Sequence, residues 1–286
     1  MPIKLDHVSY TYMPGTPFEC HALQDVSLTI ENGEFVGIMG HTGCGKSTLI
    51  QMIVGLLIPK SGTIRLDGKD INERCYQRAV LRRKVGVVFQ YPEYQLFETT
   101  VERDVAFGLK HSGLSGDEVS ERVRRSLALV GFDFDEVRRQ SPLGFSGGEK
   151  RRIAIAGILA SNPEFLILDE PIAGLDPLGR ERFLELLDQL NGGGTSIIMV
   201  SHNADSLAEH ASRLIILDSG KVLVDEAAAK AFSDAEELIK MRVGVSRPRI
   251  IADLLEKRGF KIPPGIIRYD DLLPCLIDIG RGGGKS

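Results

Sequence analysis

No stretch of this sequence reaches the ~18–20 consecutive apolar residues that cross a bilayer, and Met1-Pro2-Ile3-Lys4 opens no secretory signal. Any membrane role is therefore expected to be peripheral. The four cysteines (Cys20, Cys44, Cys75, Cys275) are scattered and form no C-x-x-C pair. That spacing suits neither a zinc site nor a disulfide framework, so a reducing compartment is expected. Nor is there an excess of one charge. The 35 Lys+Arg and 39 Asp+Glu leave −4, which argues weakly against a nucleic-acid binder. What remains is ordinary for a globular chain: 43% hydrophobic and 26% charged over 286 residues. That length suits one large α/β domain plus something smaller.

The chain is organised around Gly40-His41-Thr42-Gly43-Cys44-Gly45-Lys46-Ser47, which reads G-x-x-x-x-G-K-S. Glu34 to Met39 before it is a short apolar run and predicts a strand. Leu49, Ile50, Ile53, Val54 and Leu57 after it are spaced for a helix. Glycines let a turn wrap closely with its backbone N–H groups inward, and the helix N-terminus adds its positive dipole end, so the loop cradles polyphosphate. Lys46 is expected to reach the β and γ phosphates and Ser47 to ligate Mg²⁺. A helix N-terminus and a neighbouring lysine depress a thiol pKa, so Cys44 is expected to be reactive. His41 is expected to point into solvent.

Residues 1–31 predict strands, with Tyr12 either stacking on a purine base or packing on a strand edge. Thr63 to Leu66, turned by Asp67-Gly68, and Val85 to Phe89, ending at Gln90, predict two more. Residues 91–161 change to helical spacing (Val101, Val105, Leu109; Val119, Val123, Leu127, Val130) and read as an insertion. It closes with Phe145-Ser146-Gly147-Gly148-Glu149. Ser146 is a good N-cap, and Gly147 and Gly148 expose N–H groups at a helix start. Phe165 to Leu168 predicts a strand buried on both faces, ending in Asp169 and Glu170, where a metal-holding Asp and a water-activating carboxylate belong. Gly174-Leu175-Asp176 leads into a helix, and Thr195 to Val200 is a further buried strand that delivers His202 to a strand end. Arg213 to Val224 reads as a hairpin. Residues 226–286 form a small separate region with a helix from Arg247, a second over Asp270 to Ile277 and a frayed glycine-rich tail.

This ordered set resembles the nucleotide-binding subunit of ABC transporters over roughly residues 1–225. The resemblance implies an α/β fold with a P-loop (RecA-like) core, an antiparallel β subdomain, an inserted helical subdomain and a small C-terminal helical extension. It divides the chain into core with β subdomain (1–90), helical subdomain (91–161), core (162–225) and C-terminal extension (226–286), a possible dimerisation region. Gln90-Tyr91-Pro92-Glu93, the Asp104-to-Gly108 segment and Lys150-Arg151-Arg152-Ile153 narrow it to the energy-coupling-factor and cobalt-type importer ATPases.

The resemblance further implies ATP and Mg²⁺ as cofactors and a head-to-tail dimer around two ATP molecules. Tyr12, Gly40, Gly43, Cys44, Gly45, Lys46, Ser47 and Thr48 would bind nucleotide. Ser47, Gln90 and Asp169 would hold Mg²⁺, and Glu170, His202 and Lys46 would act in catalysis. Ser146, Gly147 and Gly148 would complete the partner's site. Implied partners are a second ATPase, related but non-identical, a transmembrane coupling subunit and a small substrate-binding membrane subunit, with no nucleic acid. The chain would then lie on the cytoplasmic face of the cell membrane and power uptake of a vitamin or transition-metal ion. A soluble ABC ATPase acting on ribosome or DNA is the competing class, yet such chains carry a coiled-coil insertion or tandem cassettes, absent here. Glu149 departs from the family's glutamine and sets an acid beside a γ-phosphate site. Glu93, Glu98, Glu102 and Asp104 either meet a membrane partner's arginines or form a solvated face.

Overall fold

The computed structural model describes residues 2–110 and 112–281. The glycine-rich end expected to fray falls, from Gly282 onward, outside the described residues. The strands are Ile3–Tyr12 (β1), Cys20–Ile30 (β2), Phe35–Met39 (β3), Ser61–Leu66 (β4), Lys69–Asp70 (β5), Val85–Val88 (β6), Phe165–Asp169 (β7), Ser196–Val200 (β8), Arg213–Asp218 (β9) and Lys221–Ala227 (β10). The chain forms two compact units, one of residues up to 72 with those from 198 onward, the other of residues 73–197.

The first unit carries an antiparallel sheet ordered β2-β1-β4-β5 and a second sheet in which β10, β9 and β3 are neighbours. β3 and β9 run parallel, Val36 opposite Arg213 and Met39 opposite Ile216. All five residues of β3 are buried, the mark of a strand covered on both faces. Gly37 makes one covering contact possible. A Cβ there would stand 2.9 Å from Leu207 on the helix Ala204–His210. That helix is capped by Asn203, whose side chain accepts from the Ser206 N–H. Arg213 ties strand edges together, donating to the Thr29 carbonyl at 2.8 Å and pairing with Asp225 and Glu34.

The C-terminal extension belongs to this unit. Its helices Arg247–Lys257 and Tyr269–Gly280 close on a small apolar cluster of Ala252, Ile266 and Leu272. It is fastened to the helix Ala204–His210 by polar contacts. The Arg247 N–H donates to Asp205 at 2.7 Å, Arg268 Nε to the Ala208 carbonyl at 3.1 Å, and the Tyr269 N–H to Glu209 at 2.8 Å.

In the second unit β6 and β7 are parallel neighbours, Val88 opposite Leu168. The helix Gly147–Leu159 lies close to β6 because Gly86 has no side chain. A Cβ there would stand 2.7 Å from Ile158. The expected helical insertion is present as Val101–Ala106, Gly116–Leu129 and Gly147–Leu159, with a short turn of helix at Phe134–Val137. Its spacing was legible because each helix buries an i, i+4 pair: Val101 and Val105 on the first, Val123 and Leu127 on the second.

Among the described residues no helix is long and apolar enough to cross a membrane.

Candidate functional site: a phosphate loop and a capped signature helix

The phosphate loop runs from the end of β3 into the helix Lys46–Ile53. Gly40, Gly43 and Gly45 have φ of 151°, 84° and 111°, a region open to glycine at little cost. Two of them also lie against backbone. A Cβ on Gly40 would stand 2.3 Å from the Leu217 carbonyl oxygen, and one on Gly45 would stand 2.4 Å from that of Ala22. The loop is thus wedged between the ends of β9 and β2, and no larger residue fits at either point. Lys46 is nearly buried and its Nζ donates to the carbonyls of Gly40 at 2.6 Å and His41 at 3.0 Å. These bonds hold the ammonium across the loop.

Ser47 is exposed in the first helical turn. Tyr12 is 37% exposed and its hydroxyl lies 3.3 Å from Thr48 Oγ1, so the ring stands beside the start of the loop helix. Its edge meets Tyr10 at 4.8 Å. His202 is exposed, two residues beyond the end of β8. These residues belong to the first unit.

Two expectations about the loop are corrected. Cys44 is fully buried, with its sulfur 2.6 Å from where a Gly40 Cβ would sit. Its side chain packs beneath the loop, so only its backbone is available to a ligand and the thiol is not presented to reagents. His41 is not simply solvated. Its Nδ1 lies 2.8 Å from the Thr42 carbonyl and its Nε2 2.8 Å from Asp218.

Gln90, Asp169, Glu170 and Ser146 to Gly148 belong to the second unit. Because Val88 pairs with Leu168, Gln90 and Asp169 emerge at the same edge of the parallel pair, where ligands bind in such sheets. Glu170 follows at φ 49°, a left-handed conformation uncommon for a non-glycine residue. Within the second unit Gln90 and Asp169 offer an amide oxygen and a carboxylate, and within the first Ser47 offers a hydroxyl. Each is a hard oxygen donor of the kind Mg²⁺ takes.

Ser146 caps the helix Gly147–Leu159 in a reciprocal box with Glu149. Glu149 Oε2 accepts from the Ser146 hydroxyl at 2.7 Å and from its N–H at 2.8 Å. These two bonds, the hydroxyl first, hold the Glu149 carboxyl below its ordinary range. The acid therefore folds back onto Ser146. Beside this helix a cleft of about 630 Å³ opens, lined among others by Ser146, Glu149, Arg151, Arg152, Asp176 and Arg182.

Of the acidic group Glu93, Glu98, Glu102 and Asp104, two are committed to the unit's own structure. Asp104 accepts from the N–H groups of Phe97 at 2.9 Å and Glu98 at 2.7 Å, and Glu98 pairs with Lys110 at 3.1 Å. One functional candidate was missed by sequence reasoning. Arg151, reached from Ser146 by little more than one helical turn, is buried among backbone carbonyls. A charged residue in a basic run gives no sign of that.

The family model for ABC transporters matches residues 23–173. An energy-coupling factor transporter ATP-binding protein from Clostridium perfringens is 44% identical over 98% of this chain and 99% of its own length. The chain belongs to the energy-coupling factor ATP-binding proteins of the ABC transporter family. Its fold is that of an ABC ATPase, and its activity is ATP hydrolysis. Among solved structures, the Clostridium perfringens protein cbiO1, described as part of the ABC transporter complex cbiONQ, matches with a TM-score of 0.74 and 35% identity over 89% of this chain and 98% of that one. A dimeric ATP-binding cassette, MJ0796, in a post-hydrolysis state with ADP and phosphate, matches with a TM-score of 0.70 and 32% identity over 79% and 98%.

Proposed function

We propose that this chain is the ATP-hydrolysing subunit of an energy-coupling-factor importer that powers uptake of a vitamin or transition-metal ion. One observation carries the reading. The likeness to named energy-coupling factor ATPases runs through 98% of the chain, so it includes the C-terminal extension as well as the cassette. The partners are a related, non-identical ATPase, a transmembrane coupling subunit and a small substrate-binding membrane subunit. The chain lies peripherally on the cytoplasmic face of the membrane. We keep the four-segment division at 1–90, 91–161, 162–225 and 226–286 as a functional one.

In this reading the backbone of Gly40, Gly43, Cys44, Gly45, Ser47 and Thr48 holds the phosphates, and Lys46 turns from the loop carbonyls to the β and γ oxygens. Tyr12 stacks on adenine. Ser47, Gln90 and Asp169 would hold Mg²⁺, which would supply charge neutralisation at the phosphates. Glu170 polarises the attacking water and His202 contacts the γ-phosphate. Ser146, Gly147 and Gly148 present hydroxyl and N–H donors to the nucleotide of the partner subunit, so nucleotide holds the dimer shut and hydrolysis releases it.

The test is co-purification from detergent-solubilised native membranes with a tag on this chain. A transmembrane scaffold, a second ATPase and a small integral membrane protein are expected. Recovery of ribosomal or DNA-associated proteins alone would replace the transport reading with the soluble one and leave the ATPase chemistry in place.

A further inference from the structure

The helix Gly147–Leu159 and the loop that carries Glu170 are joined by a side chain. Arg151 lies on the helix that Ser146 caps, and it is only 5% exposed. Its Nη1 donates to the Ala173 carbonyl at 2.7 Å, and its Nη2 donates to the Glu170 carbonyl at 3.2 Å and also to that of Pro171. Three carbonyls of one turn thus converge on a single planar fork. The turn is an unusual one, because Glu170 sits at φ 49°. The Ala173 N–H closes it by donating to the Glu170 carbonyl at 3.2 Å. Pro171 has no N–H to contribute.

Burial works against the guanidinium, pushing its pKa below the usual value, while the Glu93 carboxylate and then Tyr91 pull it back up. An apolar side chain of similar length would fill the space without that desolvation. The charge is compensated by geometry: a rigid fork of N–H donors addresses several acceptors at fixed angles, which an ammonium cannot do.

We propose that Arg151 is a positioning residue for ATP hydrolysis: gripping the carbonyls of Glu170, Pro171 and Ala173, it fixes the left-handed backbone at Glu170 and thereby aims that carboxylate at the attacking water. The same grip ties the aim to the helix whose first residues meet the partner's nucleotide. A shift of that helix on engagement is then felt at Glu170 through one guanidinium. The proposal rests on the assignment of Glu170 as the water-polarising carboxylate.

The experiment uses the complex co-purified through this chain. The turnover that Glu170→Gln removes defines this chain's share. Arg151→Met is expected to lower that share about tenfold or more while the KM for ATP stays within about twofold, since a misplaced catalytic group costs rate and not ground-state binding. Arg151→Lys is expected to recover only part of the rate. Added guanidinium is expected to restore an Arg151→Ala variant where methylammonium does not, a rescue that depends on the planar fork. Retention of this chain's full share by folded Arg151→Met, with Glu170→Gln inactive, would overturn the proposal alone. A failure of guanidinium to rescue, with Arg151→Lys as active as the parent, would also overturn it. If Glu170→Gln removes no turnover, the assignment of Glu170 falls and the proposal with it.

Discussion

The hydroxyl of Ser146 donates to the carboxylate of Glu149 at 2.7 Å. Ser146 is the residue expected to meet the γ-phosphate bound by a partner subunit. Its hydroxyl and N–H are therefore already engaged by an acid of the same helix, and a phosphate oxygen must compete with a carboxylate for both.

Glu149→Gln removes the competing charge and keeps the cap, because glutamine also completes a capping box. The ATP concentration giving half-maximal closure of the dimer should fall by roughly two- to fivefold, the size of one partly screened charge. Size-exclusion chromatography of a hydrolysis-deficient background against ATP concentration reads this directly. An unchanged or higher midpoint would show that Glu149 swings clear when nucleotide arrives.

Two helices of the second unit carry the same device, since Ser115 and Glu118 form a second capping box on Gly116–Leu129. Backbone and then side-chain bonds from Ser115 hold the Glu118 carboxyl below its ordinary value, as the bonds from Ser146 do for Glu149. A carboxyl depressed on folding stabilises the fold above its unfolded pKa, and that contribution is lost as pH falls through the folded one. Denaturant midpoints of the parent and of Glu118→Gln/Glu149→Gln should therefore differ above the ordinary glutamate range and converge as pH falls through the lowered values of the folded carboxyls. Parallel curves would contradict this.

Glu170→Gln should bind ATP with little change and hydrolyse this chain's share at least about a hundredfold more slowly, as expected when the group that orients the nucleophile is neutralised. The ATP-bound dimer should persist on a sizing column where that of the parent decays. Rapid dissociation of the variant dimer in ATP would place the water-activating group elsewhere.

The buried sulfur of Cys44 reverses what its sequence position suggested. A bulky maleimide added to folded protein should label the exposed Cys20 and Cys75, spare Cys44 and leave ATPase activity intact. Cys44 should label only after unfolding. Mass spectrometry showing native labelling of Cys44, blocked by ATP, would restore the reactive-thiol expectation.

Much of this was legible because local spacing carries it. The apolar run of β7, the alternation in β1 and β2, the i, i+4 pairs Val101/Val105 and Val123/Leu127 on their two helices, and the glycines of the phosphate loop all express their structure within a few residues. What escaped depends on distant chain segments or on side-chain direction. His41 meets Asp218 across 177 positions. Cys44 sits in a loop whose backbone faces a ligand while its side chain points the other way. Arg151 reads as one more solvated cation until the turn after β7 folds onto it. Glu149, by contrast, stands three residues after Ser146, the spacing of a capping box, so its grip on its own N-cap is written in the local sequence.

The bonds from Arg247, Arg268 and Tyr269 to the helix that follows His202 bear on inheritance. Asp205, the Ala208 carbonyl and Glu209 are surfaces shaped for this extension. A chimera that takes the cassette from one such ATPase and the tail from another would break that fit at the segment next to His202. The two pieces are then expected to travel together through gene duplication, and paired ATPases of one transporter should diverge as whole chains rather than as interchangeable modules.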